Sequence, residues 1–131
     1  MALKVYTQPI ANIFQVGDLI QFTYRDMQGI VSKRLGLCAR NKRTGGGCLY
    51  KSKKSGKKLL VITELVGTTP TKDLVLLMHD QGILGSPDVK YGNEDLVAQY
   101  SKRPTQYRHM FFSEISSVQK FVVLDAGNEL K

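Results

Sequence analysis

The chain has 131 residues, 42% of them hydrophobic, and a formal net charge of +8. This length suits one domain over residues 1–131, and the apolar content suffices for a modest core without a structural metal or a disulfide framework. No apolar run approaches the roughly 20 residues of a membrane helix, and residues 1–8 lack the apolar stretch of a signal peptide, so we expect a cytoplasmic protein without membrane contact.

The first predicted elements form a β-hairpin. Ile20, Phe22 and Tyr24 alternate with polar residues, which is typical of a half-buried strand. Residues 26–29 end in glycine and predict a turn, after which residues 30–35 return as a second strand. Because Tyr24 follows the register of Ile20 and Phe22, we expect its ring in the core.

The next segment, residues 36–58, is a loop region rich in glycine and lysine. No acidic residue occurs between Asp26 and Glu64, whereas ten of the nineteen lysines and arginines lie there. The rest of the chain carries nine cationic and eleven anionic side chains. Such an asymmetry is typical of a surface that binds a polyanion. The alternative is a solvated loop whose lysines maintain solubility.

One stretch of this loop, GGGCLYKS at residues 45–52, differs by one letter from the phosphate-binding pattern G-x-x-x-x-G-K-[ST]. Tyr50 replaces the second glycine, and its side chain would keep the backbone from closing around a phosphate. Neither flank reads as the strand and the helix that such a loop joins. We therefore predict that no P-loop chemistry occurs here.

Strands are also predicted on the far side of the glycines. Residues 48–51 form a short strand candidate, and residues 59–66 predict a buried strand because they are apolar and rich in β-branched side chains. Periodicity does not decide between strand and helix for residues 74–79. The glycine and proline on either side favour a strand.

The last third of the chain predicts one short helix and two strands. Asn93 is a suitable N-cap, and the apolar residues up to Tyr100 share one helical face, so we predict a helix over residues 93–100. Residues 107–112 and 119–124 predict the closing strands. Six or seven short strands with one short helix predict a mainly β fold, a small barrel of the SH3-like, Sm-like or OB-like type.

Two stretches resemble one known family. The strand at residues 20–24, IQFTY, followed by Gly29 and Arg34, resembles the opening of a WYL domain, and residues 107–118, YRHMFFSEISSV, are similar to that family's closing strand. The chain has no tryptophan and carries Glu114 where the family usually has arginine. The resemblance implies an Sm-like or SH3-like barrel, found in bacterial and phage regulators, that senses nucleic acid or a nucleotide-like ligand.

Cysteines and histidines do not show the spacing of a metal site. Cys38, Cys48, His79 and His109 are too far apart in sequence to form the ligand pairs of structural zinc sites. In a chain without an export signal we expect both cysteines to be reduced. Two histidines without a recognisable third group do not indicate nucleophilic catalysis. We therefore predict no catalytic residue, no metal and no cofactor.

The leading functional hypothesis is a non-enzymatic module that binds nucleic acid, either single-stranded or without sequence specificity, as in a phage or bacterial regulator. The alternative is a protein-interaction module, such as a small phage-encoded inhibitor or assembly component, that docks on an acidic surface. An enzyme that acts on a phosphorylated substrate is a third hypothesis. The expected nucleic-acid contacts are basic residues and one tyrosine, namely Lys33, Arg34, Arg40, Lys42, Arg43, Tyr50, Lys51, Lys53, Lys54, Lys57, Lys58 and Arg108.

Overall fold

An antiparallel sheet is the framework of the protein, which is described here from a computed structural model covering residues 3–9, 15–40, 48–84, 94–106 and 108–125. The strands in these ranges are β1 (Leu3–Pro9), β2 (Leu19–Arg25), β3 (Val31–Cys38), β4 (Leu49–Lys51), β5 (Lys58–Glu64), β6 (Arg108–Phe112) and β7 (Gln119–Asp125). The helices are α1 (Lys72–Asp80) and α2 (Glu94–Tyr100), with single 3-10 turns at Pro104–Gln106 and Ile115–Ser117.

The strand order is β1-β7-β2-β3-β5, and β6 pairs with the other edge of β5. Among the described residues no backbone pairing joins β1 to β6, so the sheet is open. The prediction of a mainly β fold is confirmed. A closed barrel of the SH3-like, Sm-like or OB-like type is not confirmed, because the outer strands do not pair.

Strands β3 and β4 lie end to end along one edge of β5. Cys38 of β3 pairs with Ile62, and Leu49 of β4 pairs with Leu60. Between these pairs, Val61 accepts a hydrogen bond from the backbone N–H of Ala39 (3.0 Å) and donates one to the carbonyl of Cys48 (2.7 Å). The chain therefore leaves the edge of β5 after Ala39 and returns to the same place at Cys48.

Alternating side chains give the sheet two buried faces, because successive residues of a strand point to opposite sides. The inner face carries the buried cluster Val16, Ile20, Phe22, Cys38, Cys48, Leu60, Ile62 and Val118. The outer face is covered by the two helices and carries the cluster Leu19, Leu35, Leu37, Leu65, Val75, Met78, Val97 and Tyr100. Burial on both faces explains why β5 reads as a continuous apolar run.

The sheet curls around its inner face. The rings of Phe22 on β2 and Phe112 on β6 lie 5.3 Å apart between centroids, although β3 and β5 separate their strands. In a flat sheet these strands would be about 14 Å apart, three spacings of the ladder. Gly36 of β3 lies inside the curl, where a Cβ would be 2.7 Å from Cγ2 of Ile62 and 3.2 Å from the ring of Phe22. The absence of a side chain at Gly36 thus permits the close approach of its neighbours.

Helix α1 corrects the strand expected at residues 74–79. The side chain of Thr71 accepts a hydrogen bond from the backbone N–H of Leu74 and caps the helix, whereas Val75 and Met78 lie one turn apart and are buried. The helix predicted for residues 93–100 is confirmed as α2, and its expected N-cap, Asn93, lies outside the described residues. Neither α1 nor α2 nor any other described helix has the length and apolar character needed to cross a membrane.

Candidate nucleic-acid interface

The β4–β5 hairpin presents a dense group of lysines on a defined turn. The backbone N–H of Ser52 donates to the carbonyl of Lys57 (2.8 Å), and the N–H of Gly56 donates to the carbonyl of Ser52 (2.9 Å). Gly56 has a φ of +71°, which favours glycine. The turn is therefore held by bonds to its backbone, and its lysine side chains face solvent.

The turn concentrates five lysines in a short segment of the chain. All five are exposed, and within the described part of the chain none forms an ion pair: Lys51, Lys53, Lys54, Lys57 and Lys58. Five like charges within eight residues repel one another and attract counterions. We call this group the hairpin lysines. The sequence predicted a polyanion-binding surface in this region, and that role stays a prediction.

A second basic group surrounds a buried carboxylate at the other end of β5. The side chain of Glu64 is 1% exposed and accepts hydrogen bonds from two guanidinium groups. Arg34 Nη1 lies 3.1 Å from Oε2, and Arg108 Nη1 lies 3.3 Å from Oε1. Arg108 is placed opposite Glu64 by the β5–β6 register. Both arginines are therefore held by the same carboxylate, and their two positive charges compensate the cost of burying the negative charge of Glu64.

Tyr24 of β2 lies between these two arginines. The guanidinium carbon of Arg34 is 5.0 Å from the centroid of the ring, and that of Arg108 is 4.6 Å away. Arg108 Nη2 also donates a 2.8 Å hydrogen bond to the phenolic oxygen of Tyr24. This hydrogen bond and the charge of Glu64 raise the pKa of Arg108 above its already high usual value. The arginine is consequently charged at every physiological pH.

A cleft of about 600 Å³ opens beside this cluster. Besides Arg34, Arg108 and Glu64, its wall includes Lys33 and Arg103. The four basic side chains and the single carboxylate give the cleft a net formal charge of +3. We call this feature the arginine cleft.

Arg103 is positioned by the turn that follows α2. The backbone N–H of Arg103 and the hydroxyl of Ser101 both donate to the carbonyl of Val66. The hydroxyl of Thr68 donates to the carbonyl of Tyr100 at 2.8 Å. The aliphatic part of Arg103 packs over Gly67, where a Cβ would be 3.2 Å from Cγ of the arginine. These contacts fix the main chain on both sides of the cleft.

The structure divides the predicted contact residues into two groups. Lys33, Arg34 and Arg108 line the arginine cleft, and the hairpin lysines lie at the opposite end of β5. Since β5 has seven residues, the two groups are roughly 20 Å apart along the strand. A single continuous patch made of all these residues is therefore not what the fold provides.

The remaining predicted residues belong to neither group. Arg40 is half-buried beyond the end of β3 and has an interaction partner. Lys42 and Arg43 lie outside the described residues. Tyr50 belongs to β4, but its side chain is outside what the structure describes. Sequence reasoning missed Arg103 and Glu64. An acidic residue at the end of a buried strand was the available signal, because a buried carboxylate requires a partner.

The two cysteines lie in the inner cluster as free thiols. A hydrogen bond with Cys48, together with burial, raises the pKa of Cys38 well above its usual value. Among the described residues no group of three or more potential metal ligands is found.

No protein-family model, no curated protein and no solved structure matches the chain. The resemblance to WYL domains therefore stays a prediction from the residues quoted for it.

Proposed function

We propose that the protein is a nucleic-acid-binding module whose hairpin lysines contact the phosphate backbone. The observation that carries this proposal is the presence of five exposed lysines on one turn without a carboxylate partner in the described chain. A flexible ammonium group binds phosphate as a point charge and does not require one geometry. The backbone of a polynucleotide supplies many such phosphates at short intervals, and it releases counterions when lysines neutralise them.

The expected recognition is independent of sequence. Contacts to phosphate oxygens position a protein on nucleic acid but carry no base information. The hairpin is a two-stranded projection, and its lysines extend on both sides of the turn. A single strand or the backbone of a duplex therefore fits this surface, and the choice between them depends on groups beyond the lysines.

Fluorescence anisotropy of mixed-sequence oligonucleotides at several salt concentrations tests the proposal. Each phosphate neutralised contributes about −0.7 to the log–log salt slope on a single strand and about −0.9 on a duplex, so four to six contacts give slopes of about −3 to −5. Replacing four of the hairpin lysines with serine should flatten the slope by about three on a single strand. The variant is Lys53→Ser, Lys54→Ser, Lys57→Ser, Lys58→Ser.

A matched control distinguishes the effect of the hairpin lysines from the effect of a lower net charge. The double variant Lys53→Ser, Lys54→Ser loses the same charge as the double variant Lys72→Ser, Lys102→Ser, whose lysines are exposed elsewhere. Only the hairpin variant should weaken binding strongly. Absence of binding by the parent at low salt, or equal binding by parent and quadruple variant, would refute the proposal. Binding to polyglutamate without binding to oligonucleotides would favour docking on an acidic protein surface.

A further inference from the structure

The arginine cleft has more basic side chains than the single carboxylate that lines it can neutralise. Glu64 neutralises one of the four basic groups that line it. Within the described residues, Lys33 and Arg103 have no carboxylate partner. A cluster of cations around a cavity is stabilised by an anion, because the mutual repulsion of the cations falls when the anion enters.

Two of the guanidinium groups are held in fixed orientations before any ligand is present. Arg34 donates through Nη1 to Glu64 and through Nε to Ser32 (2.9 Å), whereas its Nη2 has no partner among the described residues. Arg108 is held by Glu64 and Tyr24. The two side chains remain 30% and 36% exposed. Anchoring of this kind lowers the entropy lost when a ligand binds.

The lining of the cleft favours a compact oxyanion. Planar guanidinium groups match pairs of oxygens on a phosphate, and such charge-assisted hydrogen bonds are about twice as strong as neutral ones. A terminal phosphate carries a charge of about −1.5 to −2 and three acceptor oxygens, whereas an internal phosphodiester carries a single charge. The net charge of +3 on the cleft therefore complements a terminal phosphate best. The volume of about 600 Å³ is within the usual range for a small-molecule site, so a nucleotide fits.

We propose that the arginine cleft is a binding site for a terminal phosphate group, carried either by a free nucleotide or by the end of a nucleic-acid strand. The phosphate contacts Arg103, Lys33 and the exposed donors of the Arg34–Arg108 pair. The site is separate from the hairpin lysines, and it does not rest on the function proposed for them. It discriminates against internal phosphodiesters, which offer fewer free oxygens and less charge.

Isothermal titration calorimetry with two matched pairs of ligands tests the site. AMP carries a terminal phosphate, whereas 3′,5′-cyclic AMP has only a diester, and we expect AMP to bind at least about tenfold more tightly. For strand ends, a 5′-phosphorylated oligonucleotide is compared with the 5′-hydroxyl oligonucleotide of the same sequence. Preference in the first pair identifies a free nucleotide as a ligand, and preference in the second identifies a strand end. If neither pair shows a preference, the proposal is wrong.

Arg103 is the position for the decisive variant, because it is exposed and its loss leaves the Arg34–Glu64–Arg108 cluster intact. Arg103→Gln should weaken binding of the preferred terminal phosphate by about tenfold or more. Arg25→Gln, at the exposed end of β2, removes the same charge from a residue that does not line the cleft and should leave binding unchanged. The quadruple hairpin variant should retain the preference. The proposed site would be wrong if Arg103→Gln and Arg25→Gln weakened binding equally. It would also be wrong if the quadruple hairpin variant lost the preference for a terminal phosphate. Neither result would contradict the function proposed for the hairpin lysines.

Discussion

Arg108 on β6 donates a hydrogen bond to the phenolic oxygen of Tyr24 on β2, although two other strands separate β6 from β2 in the sheet. The contact joins side chains across the concave face, where no backbone ladder connects these strands. It lies at one end of the inner cluster, next to the tilted ring pair of Phe22 and Phe112. The same contact therefore spans the curl of the sheet and orients Arg108.

Tyr24→Phe should lower the free energy of unfolding by about 0.5–1.5 kcal/mol, because it removes one hydrogen bond and keeps the ring. Tyr24→Leu should cost about 0.5–1 kcal/mol more, since the contact between the ring and the two guanidinium groups is then lost as well. Urea unfolding monitored by circular dichroism measures both values. If Tyr24→Phe had the same free energy of unfolding as the parent, the hydrogen bond between Tyr24 and Arg108 would contribute nothing to stability.

Glu64→Gln should destabilise the protein, because two guanidinium groups would then face each other across a neutral side chain. Loss of one partner from a buried ion pair costs about 3–5 kcal/mol, but both arginines are partly exposed, so we expect about 1–3 kcal/mol. The matched control is Glu114→Gln at an exposed position, which should change stability by less than about 0.5 kcal/mol. Equal unfolding midpoints for the two variants in urea would contradict the anchoring role of Glu64.

Gly36→Ala should destabilise the sheet by overpacking. The added Cβ would lie 2.7 Å from Cγ2 of Ile62 and 3.1 Å from the carbonyl oxygen of Thr63. Relief requires a shift of β5 against β3, which typically costs about 1–3 kcal/mol. Thermal unfolding measures the change. A neutral result would mean that the curl of the sheet adjusts without strain.

Asp18 gives the stability of the protein a defined dependence on pH. Burial raises the pKa of its carboxyl group, although the backbone N–H of Gln15 and the charge of Lys120 act in the opposite direction. A raised pKa means that the folded state keeps this proton longer than the unfolded state does. The resulting stabilisation is complete below the ordinary aspartate pKa of about 3.9, and it is lost as the pH rises through the folded-state value.

The variant Asp18→Asn should lack this contribution. The free energy of unfolding of the parent, relative to that of the variant, should therefore decrease as the pH rises from below the ordinary aspartate pKa of about 3.9 through the raised folded-state pKa. Urea titrations of both proteins at several pH values give this difference, in which the other carboxylates cancel. A difference that increases with pH would show that the contact with Lys120 outweighs burial.

Both native thiols should react slowly with iodoacetamide. They are buried, and the raised pKa of Cys38 lowers its thiolate fraction at neutral pH. Mass spectrometry of the native protein should show slow alkylation, with rapid reaction of both residues in guanidinium chloride. A reference cysteine introduced by Ser55→Cys on the exposed turn should be labelled quickly in the same protein. Equally fast labelling of all three thiols would contradict the buried position of Cys38 and Cys48.

Local patterns in the sequence predicted much of the fold. The alternation of Ile20, Phe22 and Tyr24 predicted β2, and the turn at residues 26–29 predicted β3 as its hairpin partner. The run at residues 74–79 was assigned to the wrong class, since a short apolar run suits a strand and a buried helix alike. The distinguishing signal was the capping side chain of Thr71, three residues before Leu74.

The candidate sites differ in how far the sequence predicted them. The hairpin lysines are neighbours along the chain, so their charge was visible before the fold was known. The arginine cleft was not, because Arg34 and Arg108 are 30 and 44 residues away from Glu64 and meet it only through the pairing of β3 and β6 with β5. Tyr24 was expected in the core, and it lies at the edge of the core because it is two residue pairs beyond Phe22 in the β2–β3 register.

One edge of β5 is filled by the end of β3 and by β4, and the chain departs at Ala39 and returns at Cys48, both hydrogen-bonded to Val61. Ala39 and Cys48 thus complete the hydrogen bonds along this edge of β5, and these bonds do not depend on the length of the connection between the two residues. Loops whose ends are already adjacent tolerate insertion with a small entropic cost, since each doubling of length adds only about 0.6 kcal/mol. An insertion between Ala39 and Cys48 is therefore expected to leave the pairing of β3 and β4 with β5 intact.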